Sequence, residues 1–234
     1  MQRKVTPELV DQASPEPVLL AESLTDLAWL NRYLGGTATI LHQLGRLLDG
    51  SAPARIRVLD VGAGGADILV ALARWCDRHG IGLEAGALDS GRETARIASA
   101  YVEESGHDGR IEVVCGDARA LPFADGAFDV TICSTFLHHL EADDAVAALT
   151  EMARVSELGV IVSDLRRGWP GYLASWMLAN TVWRRHRYTH HDATVSMRAA
   201  YTIAEAHDLA ERAGLAPDVE PQLWFRWALR WKRP

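Results

Sequence analysis

Residues 58–67 read VLDVGAGGAD, and this decade limits what the chain can fold into more than any other feature. Val58 to Val61 form an apolar run broken only by Asp60, as expected for a strand buried on both faces of a parallel sheet. Gly62, Gly64 and Gly65 follow at once, and Ile68-Leu69-Val70-Ala71-Leu72-Ala73 then continue as a helix. A strand, a glycine turn and a helix in this order let a ligand approach bare backbone at a helix N-terminus. A nucleotide-like cofactor is the expected occupant.

The spacing narrows which cofactor. A dinucleotide fingerprint needs its third glycine at position 67, where this chain carries Asp67. A carboxylate there repels a pyrophosphate but suits a ligand with an ammonium or sulfonium charge, and Asp60 adds a second acid just before the turn. Gly82 to Asp89 (GLEAGALD) looks like a second strand ending in an acid, 27 residues after Gly62. An acid there accepts hydrogen bonds from ribose hydroxyls, usually about 20 residues on, with loop variation allowed. Ser90-Gly91 begins the next helix. An N-cap role for Asp89 without a ligand is the bland alternative.

Asp60-x-Gly62-x-Gly64-x-Ala66 resembles the first motif of the class I S-adenosylmethionine-dependent methyltransferases, D-x-G-x-G-x-G, with Ala66 in place of the third glycine. Val113-Val114-Cys115-Gly116-Asp117-Ala118 is similar to the family's adenine strand, and Leu121-Pro122-Phe123 with Asp125 to Val130 to its "LPF…D-x-x-FD" stretch. Three segments occur in the family's order. The resemblance implies that Asp60 and Asp67 face the methionine end and Gly62, Gly64 and Gly65 shape the cofactor loop. Asp89 and Ser90 would hold the ribose, and Asp117 and Ala118 the adenine. Ser134, closing the fourth strand, is grouped with them. S-adenosyl-L-methionine is the implied cofactor. The resemblance is good over roughly residues 55–165 and covers the ends only in outline.

At 234 residues the chain can bury a full core, and 48% hydrophobic with 24% charged residues is ordinary for a globular protein. A net charge of −7 argues against a nucleic-acid partner and favours a small-molecule acceptor. Cys76, Cys115 and Cys133 are isolated, with no C-x-x-C, so neither a disulfide framework nor a metal site is expected. There is no apolar signal core and no run of about 18 apolar residues. A cytoplasmic protein is expected, without stable membrane insertion.

Four segments are expected. Residues 1–52 form a loose proline-containing arm and two cap helices, at Leu19–Leu34 and Ala38–Leu48. Residues 53–164 form the cofactor-binding core, in which strands and helices alternate. Residues 165–202 form a helical lid rich in Trp, Tyr and Arg. Residues 203–234 supply a last helix and two closing strands. The fold class is α/β, a Rossmann-like doubly wound, mostly parallel seven-stranded sheet with N-terminal helices and a lid insertion after strand five.

Methyl transfer from a sulfonium is an in-line displacement, so the protein has to align the acceptor and exclude water. A base is needed only where the acceptor loses a proton. Strand four runs into Leu137-His138-His139-Leu140, frequent in methyltransferases resembling those of ubiquinone and menaquinone biosynthesis. Either His138 or His139 could be the base, or the two could simply pack beneath the loop. His191, beside Asp192, is the third candidate; no nucleophile elbow accompanies it, which argues against hydrolysis. Asp164, Arg166, Trp169 and Arg198 are candidate substrate-binding residues, with salt bridges or a surface position as the alternative. The aromatic lid suggests an aromatic or lipid-like acceptor, and NRYLGG, DLRR and HHDATVSMRAAYT resemble methyltransferases encoded beside type III polyketide synthases, a resemblance that implies a polyketide phenol, resorcinol or quinone acceptor. Residues 169–187 also read as an amphipathic segment able to touch a membrane surface. Two other classes stay open: a catalytically idle cofactor-binding partner subunit, and a nicotinamide oxidoreductase, against which Asp67 speaks.

Overall fold

The computed structural model describes residues 1–50 and 53–234. Ser51 and Ala52, at the expected junction between the cap helices and the core, lie outside the described residues. Helices α1 (Pro17–Tyr33) and α2 (Gly36–Leu47) precede an alternation of β1 (Arg55–Val61), α3 (Asp67–His79), β2 (Gly82–Asp89), α4 (Arg92–Glu104) and β3 (Ile111–Cys115). Then come β4 (Phe128–Ser134), a short 3-10 turn at Leu137–His139, α5 (Ala142–Val155) and β5 (Ser156–Leu165). Helices α6 (Trp169–Thr181), α7 (Arg187–Ala199) and α8 (Ile203–Arg212) lead to β6 (Asp218–Gln222) and β7 (Arg226–Lys232).

Among the described residues the strands form one seven-stranded sheet in the order β3-β2-β1-β4-β5-β7-β6, in which β1 to β5 pair in parallel and β7 runs antiparallel to both β5 and β6. The chain reverses between β1 and β4, and ligands of such sheets bind beyond the carboxyl ends of the strands at that reversal. Alternate residues of β1 serve opposite cores. Ile56 and Val58 pack with α2, α3 and α4, while Leu59 and Val61 pack with α5 and α8. This two-sided burial explains why the strand reads as continuously apolar. Gly159 of β5 abuts the Trp231 carbonyl of β7, so this close approach leaves no room for a side chain.

The register of β7 matters for function. Arg226, its first residue, sits opposite Leu165, the last residue of β5. Antiparallel insertion therefore carries a C-terminal arginine to the end of the sheet where β1, β2 and β4 deliver their loops.

The expected loose arm is a correction. Arg3 Nε donates to the Ala199 carbonyl at 2.7 Å and Arg3 Nη2 to the Leu140 carbonyl at 2.7 Å, and its guanidinium lies 3.9 Å from the Tyr201 ring centre. The Leu9 amide donates to Asp192 Oδ1 at 2.9 Å. Pro7 and Pro15 interrupt regular secondary structure over this stretch and Pro17 starts α1, yet residues nearly 200 positions away tie the arm down. No helix among the described residues is long and apolar enough to cross a membrane.

Candidate active site

A cavity of about 1350 Å³ opens at the carboxyl ends of β1, β2 and β4, roofed by α1, α6, α7 and the N-terminal arm. Its floor is the glycine turn. Gly62 (φ 72°) and Gly64 (φ 52°) are left-handed, as is Ala66 (φ 61°), which starts α3. The amides of Gly62 and Ala63 both donate to the Leu88 carbonyl, at 2.9 and 3.0 Å, which fastens the turn to β2.

Asp89 completes that fastening. Its carboxylate receives the Gly64 amide at 3.0 Å and the Gly91 amide at 2.9 Å. Burial raises its pKa, and these two amides oppose the rise. A carboxylate has about four acceptor positions, so capacity remains for ligand hydroxyls. Ser90 lies beside it in the cavity wall.

Two further acids sit under the turn. Asp60 is 1% exposed and its Oδ1 has no hydrogen-bond partner. Burial, then Asp67, then Asp89 push its pKa well above the usual carboxylate range. Asp67, the first residue of α3, accepts from Asn31 Nδ2 of α1 at 3.1 Å; burial lifts its pKa to about 6 against that hydrogen bond. Asn31 Oδ1 is itself buried without a partner. Buried acceptors normally have donors, so two orphaned oxygens facing one cavity mark where ligand donors belong.

The histidines form a second group. His138 is 1% exposed; its Nδ1 lies 2.7 Å from Asp164 Oδ1, and its amide donates to Asp164 Oδ2 at 3.1 Å. Its Nε2 faces Glu8 Oε1 at 3.6 Å. Burial disfavours the imidazolium, but Asp164 and Glu8 outweigh it and push the pKa up to about 10. His139 has Asp11 Oδ2 2.7 Å from Nδ1 and Glu8 Oε2 4.0 Å from Nε2, and its pKa is likewise raised by Glu8 and Asp11 over the cost of burial. Glu8 also accepts from Ser196 Oγ at 2.6 Å.

The structure brings Asp60, Gly62, Gly64, Asp67, Asp89, Ser90, Ser134, His138 and His139 into one wall and leaves the other expected residues out of it. Gly65 turns away beneath Leu24. Asp117 is half-exposed and held by Arg119 at 2.8 Å, a pairing that lowers its pKa. Ala118 packs into the α5–α8 core. Asp164 lies behind His138 with its oxygens engaged by His138 and by the Leu165 amide at 2.6 Å, so it positions rather than lines. His191 is exposed and pairs with Asp192, whose carboxylate holds the arm. Trp169 is 67% exposed, Arg198 is exposed, and Arg166 is half-buried outside the wall.

Several wall residues escaped sequence reasoning. Glu8 and Asp11 belong to the arm, and Asn31 reads as one more polar residue of an ordinary helix. Thr135 follows β4 at φ 56°, and Phe136 lies over Gly62. Arg226 is 3% exposed. Only Asn31 carried a signal, as a polar residue within an otherwise apolar helix face.

Known proteins agree with this architecture. Residues 58–159 match the methyltransferase domain family model. A demethylmenaquinone methyltransferase of Bacillus velezensis is 34% identical over 114 residues, covering 49% of this chain and 46% of that protein. An uncharacterised methyltransferase of Bacillus subtilis is 32% identical over 99 residues, covering 42% of this chain and 36% of its own length. The chain thus spans less than half the length of either relative. Among solved structures, an S-adenosylmethionine-dependent methyltransferase from Aquifex aeolicus superposes with a TM-score of 0.59 at 18% identity, covering 81% of this chain and 88% of that one. An O-methyltransferase of neocarzinostatin biosynthesis, solved with S-adenosylmethionine and 2-hydroxy-5-methyl naphthoic acid, gives 0.64 at 22% identity over 94% of this chain and 59% of that one.

Proposed function

We propose that this protein, whose residues 58–159 match the methyltransferase domain family model, is a class I S-adenosylmethionine-dependent methyltransferase that transfers a methyl group to a small aromatic or lipid-like acceptor such as a polyketide phenol or quinone. The observation that carries the reading is the glycine turn pinned by Asp89 beside the orphaned Asp60 Oδ1. The residues present fit the cofactor. Asp89 faces the place of the ribose hydroxyls, and Asp60, Asp67 and Asn31 supply acceptors and negative charge for an ammonium. The bound cofactor supplies a methyl group already activated on a sulfonium.

The protein's own part is positioning and proton removal. Leu24, Leu27, Leu30, Met177, Leu178 and Trp183 make an apolar wall from α1 and α6 and the turn after α6, which excludes water and fits an aromatic acceptor. Helices α6 and α7 act as the lid over it. His138 is a fixed imidazolium between Asp164 and Glu8, so it orients and donates rather than accepts. His139, which stacks with Phe136 at 6.3 Å between ring centres, takes the acceptor's proton, with Asp11 on Nδ1 strengthening it as a base.

Titration calorimetry with S-adenosylmethionine, S-adenosylhomocysteine and NADH tests the reading, followed by transfer of labelled methyl to phenolic acceptors. Binding of NADH alone would overturn it, and cofactor binding without turnover on any acceptor would indicate an idle partner subunit. Asp89→Ala should weaken S-adenosylhomocysteine binding by about 1–3 kcal/mol, and unchanged affinity in that variant would remove the ribose assignment. The acid at 67 predicts a pH effect as well. With its pKa at about 6, Asp67 becomes anionic as pH rises through 6, so affinity for the cationic S-adenosylmethionine should rise between pH 5 and pH 7.5. An affinity independent of pH over that interval would show that Asp67 does not face the charge.

A further inference from the structure

Arg226 is a buried cation that no carboxylate touches, Asp164 and Asp67 acting on it only from a distance. Its guanidinium is 3% exposed, yet it makes no ion pair with any carboxylate among the described residues. Its partners are three hydroxyls: Nε donates to Ser163 Oγ at 3.3 Å, and Nη2 donates to Ser134 Oγ at 3.3 Å and Thr135 Oγ1 at 2.7 Å. Nη1 has no hydrogen-bond partner among the described residues. The group lies in the cavity wall. A buried charge is ordinarily paired or ligand-bound, because hydroxyls offset only part of the hydration it loses.

The surrounding backbone points the same way. Thr135 (φ 56°), Trp224 (φ 58°) and Phe225 (φ 58°) are three of the five left-handed non-glycine residues among the described residues, and all three line the same cavity next to Arg226. Strain of this kind persists where surrounding structure enforces it, and it gathers at ligand sites. Here it accompanies a guanidinium held at the end of β4 by Ser134 and Thr135.

Position selects the ligand. Asp89 marks the ribose end at β2, and Asp60 and Asp67 mark the methionine end after β1. Arg226 comes from β7, beyond β4 and β5 in the strand order. That is the side of the sheet left for the acceptor, with His138 and His139 after β4. We propose that Arg226 is a specificity determinant that binds a carboxylate on the acceptor, so that, among the aromatic acceptors, phenols included, those that carry a carboxylate are favoured over their uncharged counterparts. The guanidinium's planar fork matches two carboxylate oxygens, and Thr135 holds the fork in place. Asp60, Asp67 and Asp89 make the cofactor end of the cavity unfavourable for a second anion.

The inference rests on the methyltransferase reading for the meaning of the acceptor, but not for the presence of the anion site. The experiment titrates 2-naphthoate and 2-naphthol into the wild type, Arg226→Met and Arg226→Lys, each with and without S-adenosylhomocysteine. The wild type should bind 2-naphthoate at least about tenfold more tightly than 2-naphthol. Arg226→Met should erase that preference, Arg226→Lys should keep part of it, and affinity for S-adenosylhomocysteine should be unchanged in both. Removing an unpaired buried charge should also leave the melting temperature of Arg226→Met the same or higher. A lower melting temperature with an unchanged acid preference would make Arg226 a structural pin and overturn the proposal. Loss of S-adenosylhomocysteine binding, with 5′-methylthioadenosine still bound, would overturn it too, by assigning the arginine to the cofactor's own carboxylate. If the wild type binds no S-adenosylhomocysteine, the methyltransferase reading fails, while the acid-over-phenol preference measured without it still decides whether Arg226 holds an anion.

Discussion

Asp164→Ala should destabilise the protein by about 3–5 kcal/mol, the cost of leaving one member of a buried ion pair without its partner. His138 and Asp164 are both almost fully buried and 2.7 Å apart, and Asp164 also receives the amides of His138 and Leu165. Burial opposes charge on both, yet each holds the other's ionised form: Asp164 below the usual carboxylate range, and His138 up to about 10 from 6.5. The sign of the pH dependence follows. Because the folded pKa of His138 is raised, its contribution is fully present below pH 6.5 and is lost as pH rises towards 10. Asp67, whose pKa is also raised, has the same sign, but its loss is largely complete just above pH 6, below that window. Urea unfolding of the wild type should therefore show stability declining between pH 7 and pH 10, and Asp164→Ala should flatten the decline. A loss under about 1 kcal/mol with the decline intact would mean that the pair is not ionised in the fold.

Gly62→Ala should be the most damaging single methyl group added to the site. The left-handed φ of 72° is open to glycine, while an alanine there costs about 1–2 kcal/mol. The new Cβ would also fall on Cβ, Cγ and Cδ2 of Phe136. Phe136 cannot withdraw without moving the segment that carries Thr135, His138 and His139. Stability and cofactor affinity should both fall, the affinity by at least about tenfold, as read by thermal melting and titration calorimetry with S-adenosylhomocysteine. Gly45→Ala is the matched control. Position 45 lies within α2 with open space around it, so alanine there should stabilise by about 0.5–1 kcal/mol. Two glycine-to-alanine changes of opposite sign would separate the demands of the turn from helix propensity. Equal effects would show that Phe136 yields freely.

Much of the fold was legible because the parallel core repeats a local code. Residues of β1 alternate between two cores and so read as one apolar run, and Gly62 and Gly64 occupy backbone conformations that other residues adopt only under strain. Asp89, which pins that turn, was found from the order of strands and acids alone. Strands and helices alternate through residues 53–164 as expected. The acceptor side was much less legible. His191 and Asp192 are adjacent in sequence, yet His191 faces solvent while Asp192 anchors the arm. Trp169 and Arg198 were chosen for their chemistry in a segment whose orientation no periodicity revealed.

What the sequence by itself determined is the cofactor half of the cavity, since a strand, a turn and a helix lie within one short stretch and their conformations follow from local sterics. The tertiary structure alone decided the other half. Glu8 meets His138 across 130 positions, and Arg226 meets Thr135 across 91. Those meetings depend on how the arm folds back over the sheet and on the antiparallel course of β7. Both are outcomes of global packing and strand pairing, which leave no local mark on the residues they bring together.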